Sequence, residues 1–294
     1  MRSWFWSLLE HLPLRVRLVV LRILLRRQPG WPDAFTHKLI SVVVDRPDSR
    51  FPVIADKFRA REYIAALVGE QYLPALLGAY ERAESIPIDH LPRRFVVKAN
   101  HASGWNYLVR DRALLDRDDL TKQARRWLST RYGSATEWWY NAMPRRIVVE
   151  EFLEGDDGDV PADYKLFTFN GRVRLVQVDH GRFTEHVRNY YDGEWMPVLT
   201  HGQFPIGPVI SKPSFFAEMC WVAERLAGDF AFVRVDLYRA GGRIFVGELT
   251  LLPAGGRDVV TTPKVDQWLG RWFDHAVSGA DAPPPYAPEP GLER

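Results

Sequence analysis

Phe232-Val-Arg-Val-Asp-Leu-Tyr-Arg-Ala-Gly-Gly-Arg-Ile-Phe-Val-Gly-Glu-Leu-Thr250 reads as two β-strands joined at Gly241-Gly242. Side chains on a strand repeat every second residue. Arg234 and Asp236 therefore share one face of the first strand, and Glu248 and Thr250 share one face of the second. The opposite face, with Val233, Val235, Leu237, Phe245 and Leu249, is apolar and belongs against a core. A three-residue loop, Gly241-Gly242-Arg243, sets Asp236 directly opposite Glu248. A two-residue Gly241-Gly242 turn shifts the pairing by one and sends Glu248 to the other face. Directly opposed residues have Cβ atoms about 4.5–5.5 Å apart, where two like charges destabilise a sheet unless something neutralises them. A hard divalent cation such as Mg2+, which takes one or two carboxylates and completes its shell with phosphate oxygens, is a suitable neutraliser; solvation on an exposed face is the alternative.

Working outward, Asp163-Tyr-Lys-Leu-Phe-Thr-Phe169 and Arg172-Val-Arg-Leu-Val-Gln-Val-Asp179 flank Asn170-Gly171. Asn-Gly supplies the positive φ angles of a tight turn, so this is a second hairpin, with Lys165 on its first strand. Phe95-Val-Val-Lys-Ala-Asn100, His101-Ala-Ser-Gly-Trp-Asn106 and Tyr107-Leu-Val-Arg110 read as strand, small-residue loop, strand. Such a loop can turn backbone N–H groups toward phosphate oxygens. Arg146-Ile-Val-Val-Glu-Glu-Phe-Leu153 is a buried-type strand ending in acids. Helical spacing marks Arg59 to Leu77, limited by Gly69 and Pro74. It also marks Asp118 to Thr130, with Leu120, Ala124, Trp127 and Leu128 inward, and Ser214 to Ala227 as the last strong helix. Hairpins interleaved with helices, with no internal repeat and no G-x-G-x-x-G or Walker signature, favour an α+β arrangement over a doubly wound sheet.

The chain's 294 residues, 46% of them hydrophobic, suffice for one large or two smaller domains. A single cysteine, Cys220, excludes an internal disulfide framework and a cysteine-rich zinc site, and fits a reducing cytoplasm; it packs with Met219 and Trp221 on a helix. The net charge of +2 hides an uneven distribution: Arg2, Arg15, Arg17, Arg22, Arg26 and Arg27 face only Glu10 in residues 1–27. These arginines interrupt every long apolar run, which disfavours a membrane span and a signal peptide. Residues 1–28, with Trp4, Phe5 and Trp6, form a basic amphipathic helix that suits either an anionic membrane surface or its own domain. The Pro-rich residues 276–294 read as a disordered tail. Basic residues do not alternate with stacking aromatics, so nucleic-acid binding is unsupported. No Ser-His-Asp ordering appears, and His101 is a local backbone cap rather than a base.

In their order, Phe95-Val-Val-Lys98 to Asn106, Val148-Val-Glu-Glu-Phe-Leu-Glu154, Asp163-Tyr-Lys165-Leu-Phe, Val233-Arg-Val-Asp236-Leu-Tyr and Gly247-Glu248-Leu-Thr250 resemble the TupA-like branch of the ATP-grasp proteins. That branch is associated with teichuronopeptide and other cell-surface polysaccharide synthesis. The resemblance runs from about Gly30-Trp-Pro-Asp33 and Asp56-Lys-Phe-Arg-Ala-Arg-Glu-Tyr63 to about Gly270. It implies two α+β lobes, each with an antiparallel sheet, that close on ATP over residues 29–275, with a hinge near 150–154. Lys98 would reach the α- or β-phosphate beneath a loop containing Ser103, Gly104 and Trp105. Glu150, Glu151, Phe152 and Leu153 would border the adenine, and Glu154 the ribose. Lys165 would be the second phosphate-facing lysine, oriented by Asp163. Asp236 and Glu248 would hold Mg2+ between the β- and γ-phosphates, with Thr250 where many ATP-grasp proteins have asparagine. Ala102 stands where many relatives have glycine.

The implied activity is an ATP- and Mg2+-dependent carboxylate–amine ligase working through an acyl phosphate on a glycan-linked substrate. Its place would be cytoplasmic or peripheral on the inner face of the cell membrane. Arg182, His186 and Arg188, which follow the second hairpin, would hold a carboxylate or form a solvated charged loop. Arg234 would stabilise the acyl phosphate or pair with Glu248. An ATP-dependent sugar kinase, or a membrane-surface scaffold that keeps the fold without catalysis, is the alternative.

Overall fold

The computed structural model describes residues 34–133, 136–155, 160–181, 185–200, 204–256 and 262–286, with scattered positions between 12 and 23. Helices α1 (Phe35–Asp45), α2 (Phe51–Ile54) and α3 (Ala60–Val68) lead into strands β1 (Leu76–Tyr80), β2 (Phe95–Ala99) and β3 (Asn106–Val109). Helix α4 (Arg117–Ser129) precedes β4 (Ile147–Glu151), β5 (Asp163–Phe169), β6 (Arg172–His180) and β7 (Val187–Asp192). Helix α5 (Phe216–Ala227), β8 (Val233–Ala240), β9 (Arg243–Thr250) and helix α6 (Pro263–Ser278) complete the order. The strands form two antiparallel sheets, β1-β4-β2-β3 and β7-β6-β5-β8-β9. The fold is α+β, as its hairpins require.

Each sheet has its own core, and the two cores make two lobes. In the smaller lobe, Leu120, Ala124 and Trp127 of α4 pack with Phe95, Val97, Val109 and Val149. Asp116 caps α4 by accepting from Asp119 N at 3.0 Å, and Asp118 and Asp119 suit the positive end of its dipole. In the larger lobe, β5 is buried along its whole length because it lies in the middle of its sheet, between β6 and β8. Helix α5 presents Phe216, Met219, Val222, Ala223 and Leu226 to the core, with Cys220 half-buried beside them.

Three expectations change. The helix read from Arg59 to Leu77 stops at Val68, because Gly69 turns to φ 104° and Leu76 enters β1. The chain gains a helix after the acidic hairpin, α6, which starts on Pro263 and buries Val265, Trp268, Leu269, Trp272 and Phe273. The tail expected from residue 276 begins as the last turn of α6. Beyond it, Pro284 O accepts from Trp268 Nε1 at 3.0 Å and Tyr286 packs edge-on against the Trp268 ring. The chain is thus packed on the body through Tyr286. Most of residues 1–28 lies outside the described residues, and no described helix is long and apolar enough to cross a membrane.

The β8–β9 hairpin combines the two registers that the sequence offered as alternatives. Ala240 pairs with Arg243 across a two-residue turn, Gly241 at φ 54° and Gly242 at φ 74°. The pairing then slips by one beyond Leu237–Val246, so that Asp236 nonetheless faces Glu248. Gly247 is the bulged residue, and the Tyr238 ring fills the space a side chain there would need. The bulge also corrects the apolar face: Phe245 pairs with Tyr238 on the Asp236 side, and Ile244, Val246 and Leu249 face the core instead.

Candidate active site

A cleft of about 590 Å³ opens between the two sheets. Val96 and Lys98 of β2 and Asn106 and Leu108 of β3 form one wall; Asp163 of β5 and Tyr238 of β8 belong to the other. Glu151, Phe152 and Leu153, leaving β4, bridge them. Lys98 Nζ lies 2.6 Å from Glu150 Oε2, and Arg61 Nη1 donates to Glu150 Oε1 at 2.8 Å while Nη2 reaches Pro74 O at 2.7 Å. Glu151 accepts from Ala75 N at 2.7 Å. The Phe152 ring lies beneath the Arg94 guanidinium at 4.3 Å, and Arg94 pairs with Glu154 at 2.6 Å.

The loop after β2 is anchored at both ends. Ala99 N donates to Trp105 O at 2.9 Å, and the Trp105 ring stacks on Trp127 at 6.4 Å. Ala102 is fully buried, and its carbonyl accepts from Lys57 Nζ at 2.6 Å. Gly104, at φ 74°, has open space where a Cβ would stand. His101 meets Asn100 Oδ1 at 3.1 Å and Thr130 O at 3.4 Å. These are the backbone and neighbour contacts of a local cap.

Next to the cleft, four carboxylates face four cations. Lys165 contacts Asp163 and lies 3.5 Å from Asp179 and 3.7 Å from Asp236. Arg234 forks onto Asp236 with two 2.6 Å bonds, and its Nη2 donates to Thr250 Oγ1 at 3.1 Å. The Thr250 hydroxyl donates to Glu248 Oε1 at 3.2 Å, and Lys57 pairs with Glu248 Oε2 at 3.1 Å. Asp179 accepts from Arg188 at 2.5 Å and Gln177 at 2.9 Å, and His186 Nε2 lies 3.3 Å from it. His186 and Arg188 also lie against the Phe204 ring.

Burial sets the electrostatics. It pushes Asp236 up to about 6 against the pull of Arg234 and Lys165. It opposes ionisation of Glu248 too, but Lys57 and Arg234 outweigh it and hold that acid at about 2. Asp179 goes the same way, held well below the usual carboxylate range by Arg188 and Lys165 despite its burial.

The donor set fits Mg2+. Asp236 and Glu248 are opposed in register and already balanced by organic cations. Among the described residues no group of three or more His, Cys, Asp or Glu forms a metal cage. Two opposed carboxylates would supply a hard divalent cation with oxygen ligands, phosphate and water supplying the others.

The structure thus brings Lys98, Glu151, Phe152, Leu153 and Asp163 to one cleft, and Lys165, Arg234, Asp236, Glu248 and Thr250 to the charge cluster beside it. His186 and Arg188 join that cluster through Asp179; Arg182 lies outside the described residues. Ser103 lies apart from the first cleft, in a second of about 830 Å³ lined also by Tyr132, Glu137, Tyr140, Arg234 and Thr250. Sequence reasoning assigned no role to Lys57, Arg61, Asp179 or Tyr238. Lys57 lies in the turn before α3 and Arg61 in its first turn, and only the folded chain brings them to Glu248 and Glu150.

A cleft between two antiparallel sheets, with a lysine from each and opposed carboxylates on the larger, is the organisation of an ATP-grasp fold. Residues 42–274 match the family described as TupA-like ATPgrasp, and the chain belongs to that family. Solved structures similar to it include D-alanine–D-alanine ligase from Bacillus anthracis complexed with ATP, at 15% identity and a TM-score of 0.41 over 68% of this chain and 54% of that one. N5-carboxyaminoimidazole ribonucleotide synthetase from Thermus thermophilus matches at 11% identity and 0.39, over 68% and 45%. A RiPP-associated ATP-grasp ligase from Chryseobacterium gregarium, in complex with ADP and a leader and core peptide, matches at 10% and 0.42, over 80% and 62%. The chain therefore spans about half to two thirds of the length of these proteins. No curated protein matches the sequence.

Proposed function

We propose that this chain is an ATP- and Mg2+-dependent ligase that joins a carboxylate to an amine. The observation that carries the reading is the in-register opposition of Asp236 and Glu248, contiguous through Lys165 and Asp163 with the cleft that Lys98 lines. In this reading the adenine rests against Phe152 and the backbone of Glu151 and Leu153, with Glu150 behind them and Glu154 toward the ribose. Lys98 and Lys165 exchange Glu150 and Asp163 for phosphate oxygens, and Ser103, Gly104 and Trp105 cover them. Asp236, Glu248 and Thr250 hold Mg2+, which when bound neutralises charge on the β- and γ-phosphates.

A substrate carboxylate oxygen attacks the γ-phosphorus and ADP leaves, giving an acyl phosphate. The amine then attacks the acyl carbon, inorganic phosphate leaves, and loss of the amine's proton yields the amide. Arg234, next to Asp236, would stabilise the charge that develops on the acyl phosphate. Arg182, His186 and Arg188 hold the substrate carboxylate. On the family resemblance, the substrates belong to a cell-surface polysaccharide or its precursor. The basic and aromatic residues 1–28 suit an anionic membrane surface or the protein's own domain, residues 29–275 form the catalytic unit, and its hinge lies near 150–154.

Thermal melting with ATP and Mg2+ tests the nucleotide site. A hundred-fold excess of ligand over Kd stabilises by about 2.7 kcal/mol. The melting temperature should therefore rise by several degrees only when both are present, and Asp236→Asn should abolish the rise. No rise at millimolar ATP and Mg2+ would overturn the reading.

A further inference from the structure

Lys57 lies in the short link between α2 and α3 and touches both lobes. Its backbone is fixed: Lys57 N donates to Asn100 O at 3.1 Å, and the Asp56 carboxylate accepts from Phe58 N at 2.8 Å and Arg59 N at 3.3 Å. Asn100 is held in turn, donating to Pro144 O at 2.8 Å and accepting from Arg146 N at 2.7 Å. From this base the Lys57 side chain, 13% exposed, carries one ammonium to Ala102 O at 2.6 Å and to Glu248 Oε2 at 3.1 Å. An ammonium is a compact charge with three N–H donors, so it can join a loop carbonyl to a buried carboxylate. Ala102 is fully buried, and Trp105 anchors the far end of the loop on Trp127. A shift of the Ala102 carbonyl is therefore taken up by Ser103 and Gly104, between it and the anchored Trp105.

We propose that Lys57 is a positioning residue that occupies the cation's place at Glu248 in the nucleotide-free protein. By holding Ala102 with the same ammonium, it makes the position of the 102–105 loop depend on whether Glu248 holds a metal. This rests on Glu248 being a metal ligand of the proposed ligase. A carboxylate oxygen engaged by an ammonium must release it before taking a divalent cation, because the two positive charges repel at that distance. Once displaced, Lys57 no longer ties the loop to β9. Metal loading and loop release are then one event.

The test uses the full chain, with hydrogen exchange of the 99–106 amides and the Mg2+ concentration that half-saturates ADP binding. In the wild type, loop exchange should rise with Mg2+ in the presence of ADP and not with ADP alone. Lys57→Met keeps the stem and removes the charge. Without ligand its loop should exchange about ten-fold faster than in the wild type, and half-saturating Mg2+ should fall about ten-fold, the loss of one charge-assisted competitor. Lys57→Arg should restore slow exchange. Loop exchange that ignores Mg2+ in a wild type that binds Mg2+–ADP overturns this proposal alone, and so does unchanged or raised half-saturating Mg2+ in Lys57→Met. A wild type that binds no Mg2+–ADP overturns the ligase reading and this proposal with it.

Discussion

Replacing Gly247 with alanine tests whether the register of the acidic hairpin depends on a missing side chain. An added Cβ would stand 2.3 Å from Tyr238 Cε2, 3.0 Å from Cζ and 3.1 Å from Oη. Carbon atoms in contact settle about 3.5–4.0 Å apart, so relief requires the ring to move by more than about an ångström. Tyr238 lines the first cleft and pairs with Phe245 across the hairpin, so its ring can yield by turning into that cleft but leaves its packing to do so. The cost belongs in the middle of the overpacking range, about 2 kcal/mol, or a melting temperature lower by roughly 3 °C. The hairpin's escape is to give up the bulge, but with its two-residue turn retained that sends Glu248 away from Asp236 and Leu249 out of the core. Either route weakens Mg2+–ATP binding. Urea denaturation of Gly247→Ala, Tyr238→Ala and the double variant measures the coupling. With the ring gone the alanine should cost less than about 1 kcal/mol, leaving an interaction energy of at least about 1 kcal/mol. A Gly247→Ala protein within about 0.5 kcal/mol of the wild type, or strict additivity with Tyr238→Ala, would refute the reasoning.

Two further perturbations reach other parts of the site. Asn100→Ala leaves Pro144 O and Arg146 N without their buried partner and should lower unfolding stability by about 2–4 kcal/mol; a loss under about 1 kcal/mol in a urea melt would contradict that account. Glu248 is held at about 2 against an ordinary value of 4.5, so its contribution is complete above pH 4.5 and is lost as pH falls from there toward 2. The difference is worth about 3 kcal/mol at most, and urea midpoints should drop less between pH 4.5 and 3 in Glu248→Gln than in the wild type. Parallel pH curves would count against the assigned pairing of Glu248 with Lys57 and Arg234.

Local chemistry made much of this fold legible. Asn170-Gly171 announces its turn, at φ 46° and 70°, and strand parity alone brings Lys165 and Asp236 onto site-facing positions. Helix α1 was not legible, since Ile40-Ser-Val-Val-Val44 is a β-branched run; Phe35 makes it helical by packing against Phe169, Phe232 and Phe273. Lys57 and Arg61 look like solvated charges until the chain folds them onto Glu248 and Glu150. The hairpins show the limit most clearly, because both use the same device. Phe169 pairs with Arg172 across a two-residue turn, yet Asp163 faces Asp179, because the register slips by one at Arg174. In β9 the slip falls at Gly247. Without these bulges Asp179 and Glu248 would point to the opposite faces of their strands, and Lys165 and Lys57 would lose a partner each. Gly247 carries a sequence signal, since a glycine inside a strand marks a bulge or a close approach. Arg174 carries none: its guanidinium stacks on Trp272 at 3.7 Å, a contact supplied by a helix nearly a hundred residues later. A bulge fixed by a distant ring cannot be counted from the turn. The acids that complete the charge cluster, Asp179 and Glu248, therefore owe their facing to the bulges, while Lys165 and Asp236 are set by the strands themselves.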